Sequence, residues 1–297
     1  MNCCSPARNK IYSNNILDSS KKNQKIHLKG MIRIPRGTWE IGSEDEDIYI
    51  EDSEGPIRTL NHKKFLIDEE CVSNIEFDKF ISDTGYVTEA EIIGWSFVFY
   101  AQVHPNAADN SRTLGLGAPP WWLAVDGASW RAPDGPGSDW NNLTDHPAVH
   151  ISWNDAMSYC NWSGKRLPSE LEWEIAARGG LVQARYPWGD ELTPNGEHQC
   201  NIWQGDFPKI NTKEDGFLST APVKSFKSNG YGLYNMTGNV WEWCGGKWTV
   251  EDELKKPMRG GAYLCHRSYC NRYRVSARTN NTPDASSSHL GFRCAAD

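Results

Sequence analysis

The sequence lacks the features that mark several large classes of protein. No run of about 18 apolar residues occurs, so no segment is predicted to cross a membrane. The formal net charge is −7 and there is no strongly basic block, so nucleic acid is not expected as a partner. Internal repeats and low-complexity linkers are also missing. We expect a monomer without a membrane or nucleic-acid partner.

An export signal is missing as well. Residues 1–30 are polar and contain no apolar core of the length that a secretory signal needs. We interpret 1–30 as a mobile polar tail and 31–297 as a single domain. With nine cysteines, an odd number, and no export signal, the default is a reducing compartment with free thiols. The expected location is the cytoplasm, or the ER lumen if the chain is a truncated eukaryotic form. The neighbours Cys3 and Cys4 are either exposed thiols or a metal or redox handle.

What the chain has in quantity is tryptophan, glycine and proline: 14, 26 and 16 residues. Such a composition favours turns and aromatic packing over long helices, and predicts a loop-heavy α+β fold or a mostly irregular one. Residues 31–42 are expected to form a strand, a turn and a second strand, and the acidic residues 43–55 a loop. Three helices are predicted to begin at Ser73, Ser152 and Ser169, and to end at Gly85, Gly164 and the pair Gly179-Gly180.

Two cysteines near the end of the chain carry the strongest chemical signal. Cys265 and Cys270 lie five positions apart in a run of Tyr, Arg and Ser with almost no aliphatic residue. Buried structural cysteines normally lie among aliphatic side chains, and cationic neighbours lower the pKa of a thiol. This pattern predicts a reactive pair in a polar cleft. From the spacing alone, a disulfide or two idle thiols remain open.

Several motifs together resemble those of one known family. They are Cys-His-Arg-Ser-Tyr-Cys-Asn-Arg-Tyr-Arg from Cys265, Asn-Thr-Pro-Asp from Asn281, Gly-Phe-Arg-Cys from Gly291, and Asn-Met-Thr-Gly-Asn-Val-Trp-Glu-Trp from Asn235. Over residues 31–297 the chain resembles the formylglycine-generating enzymes, and it looks closer to the bacterial ones. The resemblance implies a variant of the C-type-lectin-like fold. It also implies oxidation of a sulfatase cysteine, within a Cys-x-Pro-x-Arg segment, to formylglycine by dioxygen with copper(I). The implied partner is an unfolded or nascent sulfatase polypeptide.

The resemblance also assigns roles to individual residues. Cys265 and Cys270 become the catalytic residues and the copper ligands, and two thiolates form the soft ligand set that suits Cu(I). Zinc usually takes four ligands; His266 could be a third, but no fourth is evident. The implied peptide-binding residues are Trp121, His266, Tyr269, Arg278 and Ser286.

Two calcium sites are implied in the same way. Their ligands would be mixed carboxylate, amide and main-chain oxygens, which Ca²⁺ prefers. The first site would use Asn201, Ile202, Asp215 and Phe217, and the second Asn235, Gly238, Val240 and Glu242. Without the resemblance, the second motif would be interpreted as a turn with a helix-capping asparagine.

The chain also departs from the family pattern. Ala262 stands where a serine is common before the first cysteine, and Trp95 and His289 stand where vertebrate enzymes have a cleft Asp and Asn. One vertebrate disulfide has no counterpart here, whereas the other corresponds to Cys160 and Cys294, which we expect to be close and reduced.

Three alternatives remain. A non-catalytic paralogue of the same fold that binds sulfatases or peptides would lack the cysteine pair. An iron-dependent sulfoxide synthase would carry an extra helical domain with a histidine cluster, and the eight histidines here are scattered. A lectin-like carbohydrate module would not need paired cysteines among arginines.

Overall fold

The computed structural model describes residues 6–8, 28–115, 118–249 and 252–297. Cys3 and Cys4 lie outside these ranges. The α-helices are α1 Asn74–Thr84, α2 Glu89–Ile93, α3 Trp153–Ser163 and α4 Glu170–Ala177. The strands are β1 Met31–Ile34, β2 Gly37–Ile41, β3 Arg58–His62, β4 Phe65–Asp68, β5 Trp95–Phe99, β6 Ser111–Thr113, β7 Trp122–Asp126, β8 Gly205–Asp206, β9 Ile210–Asn211, β10 Trp241–Trp243, β11 Lys256–Arg259, β12 Arg278–Asn281, β13 Leu290–Gly291 and β14 Ala295–Ala296. No helix in these ranges is both long and apolar enough to span a membrane.

The helix starts follow the capping signals in the sequence. At the start of α1, the Glu76 carboxylate accepts hydrogen bonds from the Ser73 backbone N–H at 3.0 Å and from its hydroxyl at 2.8 Å. Helices α3 and α4 begin with the same reciprocal arrangement, as predicted. Helix α4 ends earlier than predicted, because Arg178 rather than the glycine pair is its C-terminal cap. Helix α2 was not predicted, although Thr88 and Glu91 form a capping box.

The strands form several small sheets. They have the orders β1-β4-β14, β2-β3, β5-β7-β6, β8-β9 and β12-β11-β10-β13. The C-terminal strand β14 pairs with β4, and β4 pairs with β1, so both ends of residues 31–297 meet in one sheet. Most of the chain after α4 is loop, and the predicted α+β fold with little regular structure is confirmed.

The core between these elements is mainly aromatic. The indole rings of Trp122, Trp130, Trp173, Trp241 and Trp243 are all at most 1% exposed. Loops that carry little regular structure are therefore held by large side chains that bury extensive apolar area. Cys160 and Cys294 lie in this core with their sulfurs 3.6 Å apart, which confirms the predicted proximity.

Buried ion pairs hold the loop between β11 and β12, which contains both cysteines and is called the cysteine loop (residues 260–277). The Arg274 guanidinium binds both carboxylate oxygens of Glu54, at 2.6 and 3.0 Å, and both side chains are almost fully buried. Arg272 binds Asp52 at 2.6 Å. The acidic loop, residues 43–55, is thereby fixed against the cysteine loop.

Part of the N-terminal tail also lies against the domain. Pro6 and Arg8 are buried, whereas Ala7 between them is exposed. The sequence predicts these three residues to be part of a mobile tail, without contact to the domain.

Candidate active site

The two cysteines of the cysteine loop lie side by side without a disulfide between them. Their sulfur atoms are 3.4 Å apart, whereas a disulfide bond is about 2.0 Å long. Backbone hydrogen bonds create this proximity: the Cys265 N–H donates to the Ala262 carbonyl and the Cys270 N–H to the His266 carbonyl, both at 2.8 Å. The loop is therefore preorganised to present two sulfurs to one ligand.

A glycine allows the loop to close on itself. Gly261 has φ of +72°, and a Cβ atom there would lie 2.9 Å from the Arg272 carbonyl oxygen. A larger residue would be strained in this conformation and would push the two arms of the loop apart. The tight approach keeps the first cysteine next to the second.

The environment of the pair differs from the sequence prediction. Cys265 and Cys270 are at most 1% exposed and pack in the main core cluster, not in a polar cleft. Burial raises the pKa of the Cys265 thiol well above its usual value, and the neighbouring Cys270 adds to the rise. Arg272 opposes it only weakly, and Arg272 is already paired with Asp52. The predicted lowering of the thiol pKa is therefore wrong, because desolvation outweighs the cationic neighbours.

An aromatic group lies beside the cysteine loop and contains two of the predicted peptide-binding residues. Tyr269 stacks on Phe207 with ring centroids 4.0 Å apart, and Trp121 packs edge-on against both, at 5.3 and 5.1 Å. The Tyr269 hydroxyl donates to the carbonyl of Leu264, the residue before Cys265, at 2.7 Å. We call Trp121, Phe207 and Tyr269 the aromatic wall. Phe207 was missed because nothing in its local sequence distinguishes it from other loop aromatics.

His266 is on the same loop but is held by its own neighbour. Its ring is half-buried, and Nδ1 lies 2.8 Å from the Ser268 hydroxyl. Burial lowers the pKa of His266, with a further contribution from Arg267. Within the described ranges, no group of three or more His, Cys, Asp or Glu residues is arranged to hold a metal. The cysteine pair thus stands as a two-sulfur donor set, which fits Cu(I) better than four-coordinate zinc.

Ser286 and Trp95 form a second part of the candidate site. Ser286 is fully buried, and its hydroxyl lies 2.7 Å from that of Ser96. Trp95 packs edge-on against Phe97, with centroids 5.0 Å apart. Phe97 and Leu264 belong to one hydrophobic cluster, and Trp95 and Trp121 pack against it. His289 is buried against Trp122, and its Nδ1 forms a hydrogen bond with the Ser287 hydroxyl. We therefore interpret it as a packing residue.

Arg278 is placed differently from the other predicted peptide-binding residues. Its guanidinium pairs with Glu170 at 2.5 Å and lies 4.0 Å from the Trp248 ring centroid. It lines a cavity of about 360 Å³ to which neither cysteine contributes. Trp121 and Tyr269 therefore lie at the cysteine loop, whereas Arg278 lines a separate pocket with other charged residues.

In the first predicted calcium site, Asp215 lies against Ile202 and Phe217, but it meets their N–H groups and not the predicted carbonyls. The Ile202 carbonyl accepts a hydrogen bond from the Gln204 side chain. The Asp215 carboxylate accepts the Ile202 N–H and the Phe217 N–H, each at 3.0 Å, and Asn201 precedes Ile202. Burial raises the pKa of Asp215. A carboxylate, an amide and nearby carbonyls are the oxygen ligands that Ca²⁺ takes.

The second predicted calcium site has one oxygen in need of a partner. The Asn235 side-chain N–H groups donate to the Pro222 and Val223 carbonyls, but its Oδ1 is buried and accepts no hydrogen bond. A buried oxygen of this kind fits a cation. The Glu242 carboxylate is instead paired with Arg293, at 2.7 and 2.8 Å. The residues fit calcium at Asn235 more clearly than at Glu242.

Comparison with known proteins places the chain in a family. The family model for a sulfatase-modifying factor enzyme 1-like domain matches residues 17–297. This chain belongs to that family. It is 54% identical to the formylglycine-generating enzyme of Thermomonospora curvata, over 94% of this chain and 97% of the relative. It is also 45% identical to inactive C-alpha-formylglycine-generating enzyme 2 of Bos taurus, over 89% of this chain and 87% of the relative. Family membership therefore does not decide activity by itself.

The fold agrees with this family. The solved structure of PvdO from Pseudomonas aeruginosa superposes with a TM-score of 0.64 over 90% of this chain and 94% of that one, at 23% identity. At this identity the likeness concerns the fold alone. It supports the predicted formylglycine-generating-enzyme variant of the C-type-lectin-like fold.

Proposed function

We propose that this protein converts a cysteine of a sulfatase polypeptide, within a Cys-x-Pro-x-Arg segment, to formylglycine, with dioxygen as oxidant and Cu(I) held by Cys265 and Cys270. The observation that carries the proposal is the cysteine pair on a preorganised loop, with its sulfurs 3.4 Å apart and no disulfide between them. A paralogue that only bound sulfatases would not need this pair. Because a relative named as inactive is also similar to this chain, the proposal rests on the cysteine pair and not on family membership.

The chain's own residues would prepare the chemistry in two ways. The two sulfurs would hold the metal, and because burial keeps the Cys265 pKa high, metal binding must release thiol protons. Bound copper would supply the one-electron chemistry that dioxygen requires. The aromatic wall of Trp121, Phe207 and Tyr269 would orient an extended peptide and exclude water from the sulfurs.

An extended peptide is a better fit than a folded surface. The aromatic wall and the buried Ser286 hydroxyl would contact side chains of an open strand, which an unfolded or nascent sulfatase would offer. Calcium, at the Asn201 and Asn235 loops, would be structural because it would bind the folded state and not the unfolded chain.

We infer a reducing compartment such as the cytoplasm, in keeping with the seven cysteines of the described residues that form no disulfide.

The test is direct incubation of the full chain with a Cys-x-Pro-x-Arg peptide, Cu(I), a thiol reductant and air, followed by mass spectrometry. Conversion of the peptide cysteine to an aldehyde is expected. A peptide with Ala in place of the motif Arg serves as the control and should react poorly. Binding of the motif peptide without any conversion, with copper present, would favour the non-catalytic paralogue instead.

A further inference from the structure

The N-terminal tail contains the motif that the proposed function assigns to the substrate. Residues 4–8 have the sequence Cys-Ser-Pro-Ala-Arg, which matches Cys-x-Pro-x-Arg at all three specified positions. The last three of these residues are described by the structure, and Arg8 contacts Trp95 and Ser286 of the candidate site.

Arg8 is inserted into the pocket formed by Trp95 and Ser286. Its guanidinium donates to the Trp95 carbonyl and to the Ser286 hydroxyl, each at 2.9 Å, and also to the Asp284 carbonyl. It lies 4.7 Å from the Trp95 ring centroid, in cation–π range. Arg8 is only 5% exposed. The pocket therefore supplies several acceptors and an aromatic face to one arginine.

The contacts of the neighbouring residues follow the same pattern as the motif. The Pro6 side chain is buried, and its carbonyl accepts a hydrogen bond from the Asn281 side-chain amide at 3.2 Å. Ala7 is exposed to solvent. The domain thus contacts the segment at its proline and arginine, whereas the side chain between them faces solvent. This is the pattern expected for a motif in which that position is variable.

The pocket is also connected to the cysteine loop. Trp95 packs on Phe97, and both belong to the hydrophobic cluster that includes Leu264, the residue before Cys265. Only Ser5 lies between Cys4 and Pro6 in the sequence, and an extended chain covers at most about 3.6 Å per residue. Packed side chains therefore link the arginine pocket to the residue that precedes Cys265.

We propose that the N-terminal segment, docked through Pro6 and Arg8, is an intramolecular ligand that occupies the substrate site and competes with the polypeptide substrate. This inference rests on the proposed function for the identity of the competing substrate, but the docking of the segment does not. A tethered ligand acts at an effective concentration of about the millimolar range. A substrate peptide then binds only the fraction of molecules in which the tail has left, so its apparent affinity is reduced by that fraction.

The first test measures docking without any catalysis. Limited trypsin digestion of the full chain should cleave after Arg8 slowly, and Ser286→Ala should accelerate this cleavage severalfold because it removes one of the guanidinium's acceptors. Cleavage after Lys21 and Lys22 in the same tail gives the matched control, which the variant should not change. Equal cleavage after Arg8 in both proteins would overturn the proposal.

The second test measures competition. A fluorescent peptide with the motif Cys replaced by Ser, which cannot be oxidised, is titrated with the wild type, Arg8→Ala and Ala7→Ser. We expect Arg8→Ala to bind it roughly fivefold or more tightly, and the exposed-position variant Ala7→Ser to match the wild type. Unchanged binding by Arg8→Ala would overturn the proposal. If no protein binds the peptide while Arg8 stays protected from trypsin, the docking stands and the proposed substrate is wrong.

Discussion

The buried pair of Arg274 and Glu54 should be a large contributor to stability, since it fixes the cysteine loop to the acidic loop. Both side chains are at most 1% exposed, and two hydrogen bonds of 2.6 and 3.0 Å join them. Replacing Arg274 with Met keeps much of the apolar volume but leaves the Glu54 carboxylate buried without its cation. Breaking a buried pair in this way costs about 3–5 kcal/mol. For a chain of this size, that corresponds to a fall in melting temperature of the order of 10 °C.

The assay is urea-induced unfolding of Arg274→Met, with the midpoint and slope compared with those of the wild type. Arg112→Met is the matched control, because the Arg112–Asp126 pair is about half exposed on both sides and should contribute at most about 1 kcal/mol. The double variant Arg274→Met/Glu54→Leu should recover part of the loss, since no charge is then left unpaired. If Arg274→Met costs no more than Arg112→Met, the pair does not hold the loop as we argue.

Three further results are expected. Burial, and next repulsion from Asp155, raises the pKa of Glu89 to about 7. The folded state therefore binds this proton more tightly than the unfolded state does, and the stabilisation is lost as the pH rises toward 7. Glu89→Gln should therefore reduce the pH dependence of the free energy of unfolding measured between pH 5 and 7. Calcium chelation by EGTA should lower the melting temperature, and Asn235→Ala should reduce that response; identical curves with and without EGTA would exclude structural calcium. Alkylation mass spectrometry on protein trapped in cells should find Cys160 and Cys294 mostly reduced, and quantitative disulfide would refute a reducing compartment.

The elements that depend on local signals could be predicted from the sequence. The starts of α1, α3 and α4 followed their capping residues, because those hydrogen bonds form between positions three residues apart. The same signal was present at Thr88 for α2 and was overlooked.

The electrostatics of the site could not be predicted in this way. The arginines beside Cys265 and Cys270 in sequence suggested a polar, cationic setting, but Arg272 and Arg274 are neutralised by Asp52 and Glu54, which lie some 220 positions earlier. Only the tertiary fold shows that burial dominates the thiol pKa.

The N-terminal motif was overlooked for a different reason. By composition, residues 4–8 are part of a polar tail, although their sequence matches the Cys-x-Pro-x-Arg motif that the family resemblance implies for the substrate. Its relevance depends on the pocket of Trp95, Asp284 and Ser286, whose members come from two distant segments. Arg278 shows the converse: it was assigned to the peptide cleft by resemblance, yet its guanidinium is paired with Glu170.

The central claim is that Cys265 and Cys270 act as one unit in peptide oxidation. The most direct measurement is mass-spectrometric conversion of a Cys-x-Pro-x-Arg peptide by the wild type, Cys265→Ser, Cys270→Ser and the double variant, all incubated with the same concentration of Cu(I). Because both sulfurs are buried, the melting temperature and the binding of the Ser-containing peptide are measured alongside, so that loss of folding is recognised. Each single variant should lose all conversion while it still binds the peptide, and the double variant should be no worse than either. Full conversion by either single variant, or equal activity of the wild type without copper, would contradict the account.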